Sequence, residues 1–163
     1  PDTVTMAAAL KPTIYLGTDH SGLALKDRIK DHLVGLGYHV HDFGAYRIAS
    51  SDDYPDFIIP AAEAVSRSRG TAMGIVFGGS GIGECIAANK VRGVRAAPVY
   101  DRYSAKMSRL DNDANVLCLG GRTMMKDAAL AKRLVNLWLR TKFSNADRHV
   151  RRLKKIAKYE SGR

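Results

Sequence analysis

The stretch that decides the fold of this chain is MGIVFGGSGIGECIAANK, residues 73–90. It opens with the apolar run Ile75–Phe77, typical of a buried strand, and continues into a loop with four glycines and a serine. Glycines at the end of a strand let the backbone enter conformations with positive φ, so successive N–H groups can form a concave nest for an anion. Glu84 closes the loop, where its carboxylate can move a proton on a carbon beside a bound oxyanion. An anion hole with a base beside it favours an enzyme.

The loop does not fit either of the common phosphate-binding glycine motifs. A P-loop requires Lys-Ser or Lys-Thr after its last glycine, and here Glu84 and Cys85 follow Gly83. The dinucleotide-binding motif requires a third glycine three residues after Gly81, and that position is again Glu84. A tight strand-to-helix turn without a ligand is the alternative interpretation of the loop.

Length and composition indicate one ordinary globular domain. The chain has 163 residues, 45% hydrophobic and 26% charged. We expect a flexible N-terminal segment at residues 1–12 and a single domain at residues 13–159. No apolar run reaches the roughly 18 residues of a membrane span and no secretory signal is visible, so we expect no membrane partner. Cys85 and Cys118 have neither metal-ligand nor disulfide-framework spacing, which predicts a cytoplasmic protein without a bound metal.

The net charge of +10 comes mostly from the end of the chain. Residues 140–163 contain nine Lys and Arg against two acidic residues, a balance of +7, and residues 1–139 carry only +3. Basicity confined to one helix favours a solvated face or a small anion site over a nucleic-acid surface. We therefore expect no nucleic-acid partner.

Short β-rich runs alternate with helical patterns along the whole chain. The predicted strands are residues 13–17, 38–43, 73–77, 95–99 and 116–119. The predicted helices are residues 25–36, 54–69, a short one ending at residue 89, 101–110, 126–140 and 145–159. Asn145 is the predicted N-cap of the last helix. The alternation predicts an α/β fold with a five-stranded parallel sheet and helices on both faces.

Polar residues follow the predicted strands at their carboxyl ends. Asp19 and His20 follow the first strand, Tyr54 lies in the loop after the second, and Arg122 comes soon after the fifth. Ligands of parallel α/β sheets bind beyond these ends. The topology therefore predicts one polar site that includes the glycine loop.

Six motifs, in this order, are shared with a known family: GTDHSG (17–22), DYP (53–55), GSGIG (79–83), IAANK (86–90), NDANV (112–116) and RHVRR (148–152). Over residues 13–159 the chain resembles the type B ribose-5-phosphate isomerases, whose wider group includes galactose-6-phosphate isomerase subunits. The resemblance implies a Rossmann-like three-layer sandwich with a C-terminal helical extension. It also implies a homodimer with sites at the subunit interface, and aldose–ketose isomerisation of a sugar phosphate without metal or other cofactor.

The resemblance also implies a mechanism, in which ribose 5-phosphate and ribulose 5-phosphate interconvert through a cis-enediolate. Many family members place a catalytic cysteine at the position of Gly78, and another branch uses a glutamate at the position of Glu84. This chain resembles the glutamate branch, so Glu84 is the predicted base and Cys85 a small buried apolar residue. Backbone donors and one hydroxyl of the loop are the predicted anion hole: Gly79, Ser80, Gly81 and Gly83.

Arginines are the predicted phosphate ligands. Arg148 and Arg152 are four residues apart, so both project from one face of the last helix, and guanidinium forks match phosphate oxygens. The resemblance places the phosphate at this pair, together with Arg122 and His20. It implies further substrate contacts at Tyr54 and Asn112.

One position departs from the family pattern. Many members have a histidine, credited with opening the furanose ring, where this chain has Asp111. Either Asp111 opens the ring, or Asp19 and His20 do so, or the preferred substrate is another sugar phosphate, such as a tetrose 4-phosphate or a hexose 6-phosphate. A non-catalytic, flavodoxin-like nucleotide-binding module is the alternative from another functional class.

The long predicted helix at residues 126–140 suggests how two chains would associate. Its apolar residues are more numerous than one sheet face requires: Leu130, Leu134, Leu137, Trp138 and Leu139. We therefore expect this helix to contribute to a homodimer interface.

Overall fold

A computed structural model describes residues 10–162, and residues 1–9 of the predicted flexible segment lie outside the described residues. The strands are β1 (Thr13–Thr18), β2 (Val40–Asp42), β3 (Ala72–Gly78), β4 (Ala96–Pro98) and β5 (Val116–Gly120). The helices are α1 (Leu23–Gly35), α2 (Pro55–Arg67), α3 (Ile82–Ala88), α4 (Arg102–Leu110), α5 (Gly121–Met124), α6 (Ala128–Arg140) and α7 (Asp147–Ser161). The predicted alternation of strands and helices is confirmed.

All five strands are parallel and lie in the order β2-β1-β3-β5-β4. The chain leaves β1 towards β2 and then returns past β1 to reach β3. The strand order therefore reverses between β1 and β3, and ligands of such sheets bind beyond the carboxyl ends at this point. Asp19 follows β1 and Gly79 follows β3, so both lie at the switch point.

Alternating side chains of the strands face two layers of helices. Ile14 and Leu16 of β1 pack in one core cluster, with residues from α1, α4 and α6. Tyr15 packs against a second cluster, which contains residues from α2 and α3. The predicted three-layer sandwich with a parallel sheet is therefore confirmed.

Two details of the helix predictions are wrong. The helix predicted at residues 126–140 begins at Ala128, because the Asp127 side chain caps it by accepting the Leu130 N–H at 2.9 Å. The predicted cap Asn145 instead adopts a left-handed conformation, with φ of 54°, and its side chain donates to Phe143 O. The N-cap of α7 is Ala146, whose side chain makes no capping hydrogen bond.

The apolar residues of α6 do not form the surplus surface that the sequence suggested. Leu134, Leu137 and Trp138 are buried in the core of the same chain, against the sheet and α1. Large apolar side chains are exposed at other places, which include Ile82 and Ile86 on α3, Tyr100 and Tyr103 around the start of α4, and Ile156 and Tyr159 on α7.

The C-terminal helix α7 is the predicted extension of the domain. It is anchored near its start by His149, which is buried, and near its end by Glu160, which accepts the Gly93 N–H at 3.2 Å. Its basic residues Arg151, Lys154, Lys155 and Lys158 are exposed, as expected for a solvated face. Among residues 10–162, no helix is both long enough and apolar enough to cross a bilayer.

Candidate active site

The glycine loop turns sharply between β3 and α3. Gly81 has φ of 81°, a left-handed conformation, and forms the N-cap of α3. A Cβ at Gly81 would lie only 3.0 Å from the backbone of Leu119, so neither the conformation nor the space suits another residue. Ser80 Oγ accepts the Ile82 N–H at 3.2 Å, which fixes the serine at the tip of the turn. The sequence thus predicted correctly a strand, a glycine turn and a helix.

Glu84 lies on the first turn of α3, and its carboxyl group folds back against the end of β3. A Cβ at Gly78 would overlap both carboxyl oxygens of Glu84, so this carboxyl fills the space of a side chain at residue 78. Only 4% of Glu84 is exposed. Burial and the nearby charge of Asp19 raise its pKa, although the backbone N–H groups of Glu84 and Gly81 oppose this shift. A carboxylate with a raised pKa is suited to accept and return a proton near neutral pH.

Asp19 faces Glu84 from the end of β1. Its Oδ1 accepts the N–H groups of Ser21 and Gly22 at 2.9 and 3.3 Å, and thereby caps the short 3-10 helix His20–Gly22. Gly22 itself fits closely against β3, because a Cβ there would lie 2.7 Å from Gly78 N. Asp19 is buried and lies within electrostatic reach of Glu84, so the structure brings these two predicted catalytic carboxylates together.

His20 projects beside Asp19 and is held by a residue that the sequence motifs missed. Asp52, in the loop between β2 and α2, has its Oδ1 2.5 Å from His20 Nδ1. The hydrogen bond to Asp52 raises the pKa of His20, against the effects of burial and of the Arg122 charge. The signal for Asp52 was weak in the sequence, because it is one of two adjacent aspartates in a polar loop.

Tyr54 and Arg122 close two sides of the glycine loop. The Tyr54 ring lies over Gly83, where a Cβ would be 2.8 Å from Cζ of the ring. The Arg122 guanidinium lies over Gly79, where an added Cβ would be 3.0 Å from Cζ of the arginine. The backbone N–H of Arg122 donates to Gly79 O at 3.1 Å. The carboxyl ends of β1, β3 and β5 therefore bring together the loop, the carboxylates and one arginine, as the topology predicted.

Four predicted site residues lie at the other end of the sheet: Asp111, Asn112, Arg148 and Arg152. The first two precede β5, whereas Arg122 follows it, and the five residues of β5 alone span about 13 Å. Helix α6 returns the chain to this amino end, where Ser144 N donates to Leu110 O at 3.0 Å before α7 begins. One chain therefore does not bring these residues to Glu84.

His149 is a second residue whose role the sequence did not indicate. It is 4% exposed, its Nδ1 lies 2.8 Å from Ser144 Oγ, and its Nε2 lies 3.6 Å from Asp111 Oδ1. The sequence separates His149 from Asp111 by 38 residues, and only the return of α6 makes them neighbours. Asp111 thus has an imidazole beside it, although its own position lacks the histidine of many family members.

The two cysteines of the chain, Cys85 and Cys118, are neighbours in the fold. Cys85 Sγ lies 3.4 Å from Ala96 O and packs against the second core cluster, but the residue is only partly buried, whereas the sequence predicted a fully buried one. The neighbouring Cys118 thiol lowers the pKa of Cys85, while burial raises that of Cys118.

Among residues 10–162, three side chains lie close enough together to share a cation: Asp19, His20 and Asp52. Asp52 Oδ2 already accepts the His20 backbone N–H, and Asp19 Oδ1 accepts that of Ser21.

Comparison with known proteins gives a consistent picture. The family model described as "Ribose/Galactose Isomerase" matches residues 14–156. Ribose-5-phosphate isomerase B of Mycobacterium tuberculosis is 44% identical over 147 residues, which cover 90% of this chain and 89% of that protein. The solved structure of the Clostridium thermocellum ribose-5-phosphate isomerase B has a TM-score of 0.85 and 45% identity, covering 92% of this chain and 98% of that one. The Mycoplasma genitalium enzyme, solved with bound ribulose-5-phosphate, has a TM-score of 0.88 and 38% identity, covering 93% and 98%.

Proposed function

The chain belongs to the ribose/galactose isomerase family, and from this premise we propose that it interconverts ribose 5-phosphate and ribulose 5-phosphate. The observation that carries the proposal is the Glu84 carboxyl group, buried at the mouth of the glycine loop in the space of a side chain at Gly78. A nucleotide-binding module has no need of a buried carboxylate there, and its charge would repel a phosphate. The cytoplasmic location expected from the sequence remains a prediction.

In the proposed reaction, Glu84 moves a proton between C2 and C1 of the open-chain sugar. It removes the proton from C2 of the aldose and returns it to C1 of the cis-enediolate, while the O2 hydroxyl proton passes to O1, so the ketose has the same composition as the aldose. The developing oxyanion would be met by N–H groups of Gly79 and Gly83 and by the Ser80 hydroxyl, with the Gly81 N–H turned towards Glu84. A preorganised donor of this kind contributes about 3 kcal/mol to transition-state stabilisation.

The arginine pair of α7 would need a second chain to reach the base. Arg148 and Arg152 are exposed at the amino end of the sheet, whereas Glu84 and Arg122 lie at its carboxyl end. A two-fold axis would bring the amino end of one subunit to the carboxyl end of the other, in both directions at once. Each site would then combine the base of one chain with Asp111, Asn112 and the arginine pair of its partner.

The exposed apolar residues support a homodimer. Ile82 and Ile86 are four residues apart on α3, and 62% and 57% of their surfaces are exposed. Tyr100 and Tyr103 are exposed nearby in sequence, after the edge strand β4. Because α3 also carries Glu84, an interface on this helix would lie directly beside the active site.

Mixing two impaired variants tests this arrangement. Glu84→Gln removes the base from the carboxyl end of the sheet, and Arg152→Ala removes a phosphate ligand from its amino end. In a mixed dimer, one site contains both defects and the other contains none, so co-refolding should restore activity up to half of the wild-type value per mixed dimer. Two Glu84→Gln chains refolded together are the control. No recovery from the mixture, or full activity in a monomer by sedimentation, contradicts the shared site.

The identity of the sugar depends on ring opening at Asp111. A tetrose 4-phosphate cannot close a furanose ring through a free hydroxyl, so it would escape this step, and it is the second candidate substrate. The test is an isomerase assay with four-, five- and six-carbon aldose phosphates at one salt concentration. We expect turnover of ribose 5-phosphate. Turnover only of an aldose phosphate of another chain length would change the assigned substrate. Turnover of none of them would refute the proposed activity.

A further inference from the structure

The loop between β2 and α2 delivers a carboxylate to His20 that the sequence motifs did not indicate. Asp52 lies in this loop, and only 10% of its side chain is exposed. Its Oδ1 lies 2.5 Å from His20 Nδ1, and its two oxygens accept the His20 backbone N–H at 3.3 and 3.1 Å. One carboxylate is therefore bound to both the ring and the backbone of the same residue.

A buried ion pair anchors the start of this loop. Lys26 is 1% exposed, and its Nζ donates to Asp42 Oδ2 at 2.8 Å and to Ala45 O at 2.6 Å. Asp42 Oδ1 also accepts the Gly44 N–H at 2.8 Å. With β2 before the loop and α2 after it, these contacts fix the path along which Asp52 reaches His20 before any substrate binds.

The contacts of His20 determine which of its nitrogens can exchange a proton. Nδ1 faces the Asp52 carboxylate, so it carries a hydrogen in both charge states of the ring. Nε2 lies 3.2 Å from Ser21 Oγ and is the nitrogen that gains or loses a proton. The charged groups that face the ring are Asp52 from the loop, Asp19 from its own turn and Arg122 from α5.

We propose that Asp52 is a positioning residue of the active site: its contacts with Nδ1 and with the backbone N–H orient His20, so that Nε2 and the Arg122 guanidinium form a pair that binds the substrate phosphate. This inference rests on the proposed function for the identity of the substrate. The pair itself would also bind inorganic phosphate, which permits a test without turnover.

The proposal predicts a characteristic pH dependence. Asp52 raises the pKa of His20, so the Nε2–H donor persists to higher pH than in an ordinary histidine and is lost as pH rises through the raised pKa. Asp52→Asn removes the negative charge and should lower this pKa, so phosphate affinity should begin to fall at lower pH. At lower pH still, His20 is charged in both proteins and their affinities should agree. A loss of structure alone would weaken phosphate binding at every pH.

Calorimetry with inorganic phosphate and histidine ¹⁵N NMR test the proposal. At about pH 8 we expect Asp52→Asn to weaken phosphate binding by about tenfold, the lower limit for a hydrogen bond to a charged group, and at about pH 5.5 by less than twofold. The matched control is Asp53→Asn, the same change at the exposed next residue. The resonance missing in His20→Gln identifies His20, whose titration should move to lower pH only in Asp52→Asn. Asp52→Glu retains the charge and should restore affinity at pH 8.

Each outcome supports or overturns the inference. An unchanged His20 titration in Asp52→Asn, or equal weakening of phosphate binding at both pH values, overturns it. If Asp52→Asn does not fold, wild-type affinity that stays constant through the His20 titration overturns it as well. A wild-type protein with the expected His20 behaviour but no isomerase activity would remove the proposed function and leave the role of Asp52 intact.

Discussion

The substitution Glu84→Gln gives the sharpest test of the proposed chemistry, because it removes one proton acceptor and leaves the local shape almost unchanged. The side chain is 4% exposed and fits against Gly78, so an isosteric amide keeps the packing. Its carbonyl oxygen can still accept the N–H groups that now face the carboxylate. We expect kcat to fall by at least about 10²-fold, the usual contribution of a positioned acid–base group. KM should change little, since Glu84 is not one of the proposed phosphate ligands.

The raised pKa of Glu84 also predicts an effect on stability. Burial favours the protonated form in the folded chain, so the folded state binds more protons than the unfolded state between their two pKa values. The free energy of unfolding therefore decreases as pH rises through this window. At neutral pH, Glu84→Gln should be at least as stable as wild type, and this advantage should disappear below the pKa of an ordinary glutamate.

Activity and unfolding must be measured on the same preparations. Turnover is followed as ketose formation from ribose 5-phosphate, and stability by urea unfolding at neutral and acidic pH. Glu63→Gln, on the exposed face of α2, is the matched control and should change neither quantity. Nearly full activity in Glu84→Gln would refute the assignment of the base, and inactivation by iodoacetamide that is lost in Cys85→Ala would transfer it to the thiol.

A substitution that leaves every titratable group in place tests the same geometry. A Cβ at residue 78 would overlap the Glu84 carboxyl oxygens, so Gly78→Ala must displace them. We expect a loss of kcat comparable to that of Glu84→Gln. An active Gly78→Ala enzyme would mean that the position of the carboxylate is not critical.

Three further substitutions test other parts of the proposal. Arg152→Ala should weaken inorganic phosphate binding by about 1.5–3 kcal/mol, measured by calorimetry, whereas Lys154→Ala on the solvated face of α7 should not, and equal losses would indicate a diffuse polyanion surface. Asp111→His should raise turnover of ribose 5-phosphate more than that of erythrose 4-phosphate, and a collapse of both would make Asp111 a working catalytic group. Asp42→Asn should lower the free energy of unfolding by about 3–5 kcal/mol, because it leaves the buried ammonium of Lys26 with only the exposed Asp27 carboxylate at 3.7 Å, and a loss below 1 kcal/mol in urea would contradict this.

The features that the sequence predicted well are those recorded in local patterns. Residues 73–78 are apolar or glycine, and they form the buried strand β3. Gly81 marks a turn because its φ of 81° suits no side chain, and Asp19 and Arg122 follow strands whose carboxyl ends must meet. These inferences needed only the apolar pattern of the strands and the rule that ligands bind at the carboxyl ends of parallel strands.

The features that the sequence missed depend on contacts between distant residues. Asp52 meets His20 across 32 positions, and nothing in the loop distinguishes it from Asp53 until the fold orients one side chain inwards. Asparagine is a common N-cap residue, but Asn145 adopts a left-handed backbone conformation in the turn before α7. We misinterpreted the apolar face of α6, because a helix pattern gives the width of such a face and not what covers it. Trp138 is buried in the core cluster that also contains residues of the sheet, α1 and α4.

Because the proposed site is divided between the two ends of the sheet, the proposed catalysis depends on the association of two copies of the chain. The base, its glycine loop and Arg122 belong to the carboxyl end of the sheet, and the arginine pair of α7 belongs to the amino end. The five-residue strand β5 lies between these groups and is paired on both sides, so the length of the strand keeps them apart within one chain. A monomer would therefore retain the acid–base chemistry and the His20–Arg122 pair but lose the arginine pair of α7, which helps to hold the sugar in place for proton transfer. Specific activity should accordingly fall with dilution once the protein concentration drops below the dissociation constant of the dimer.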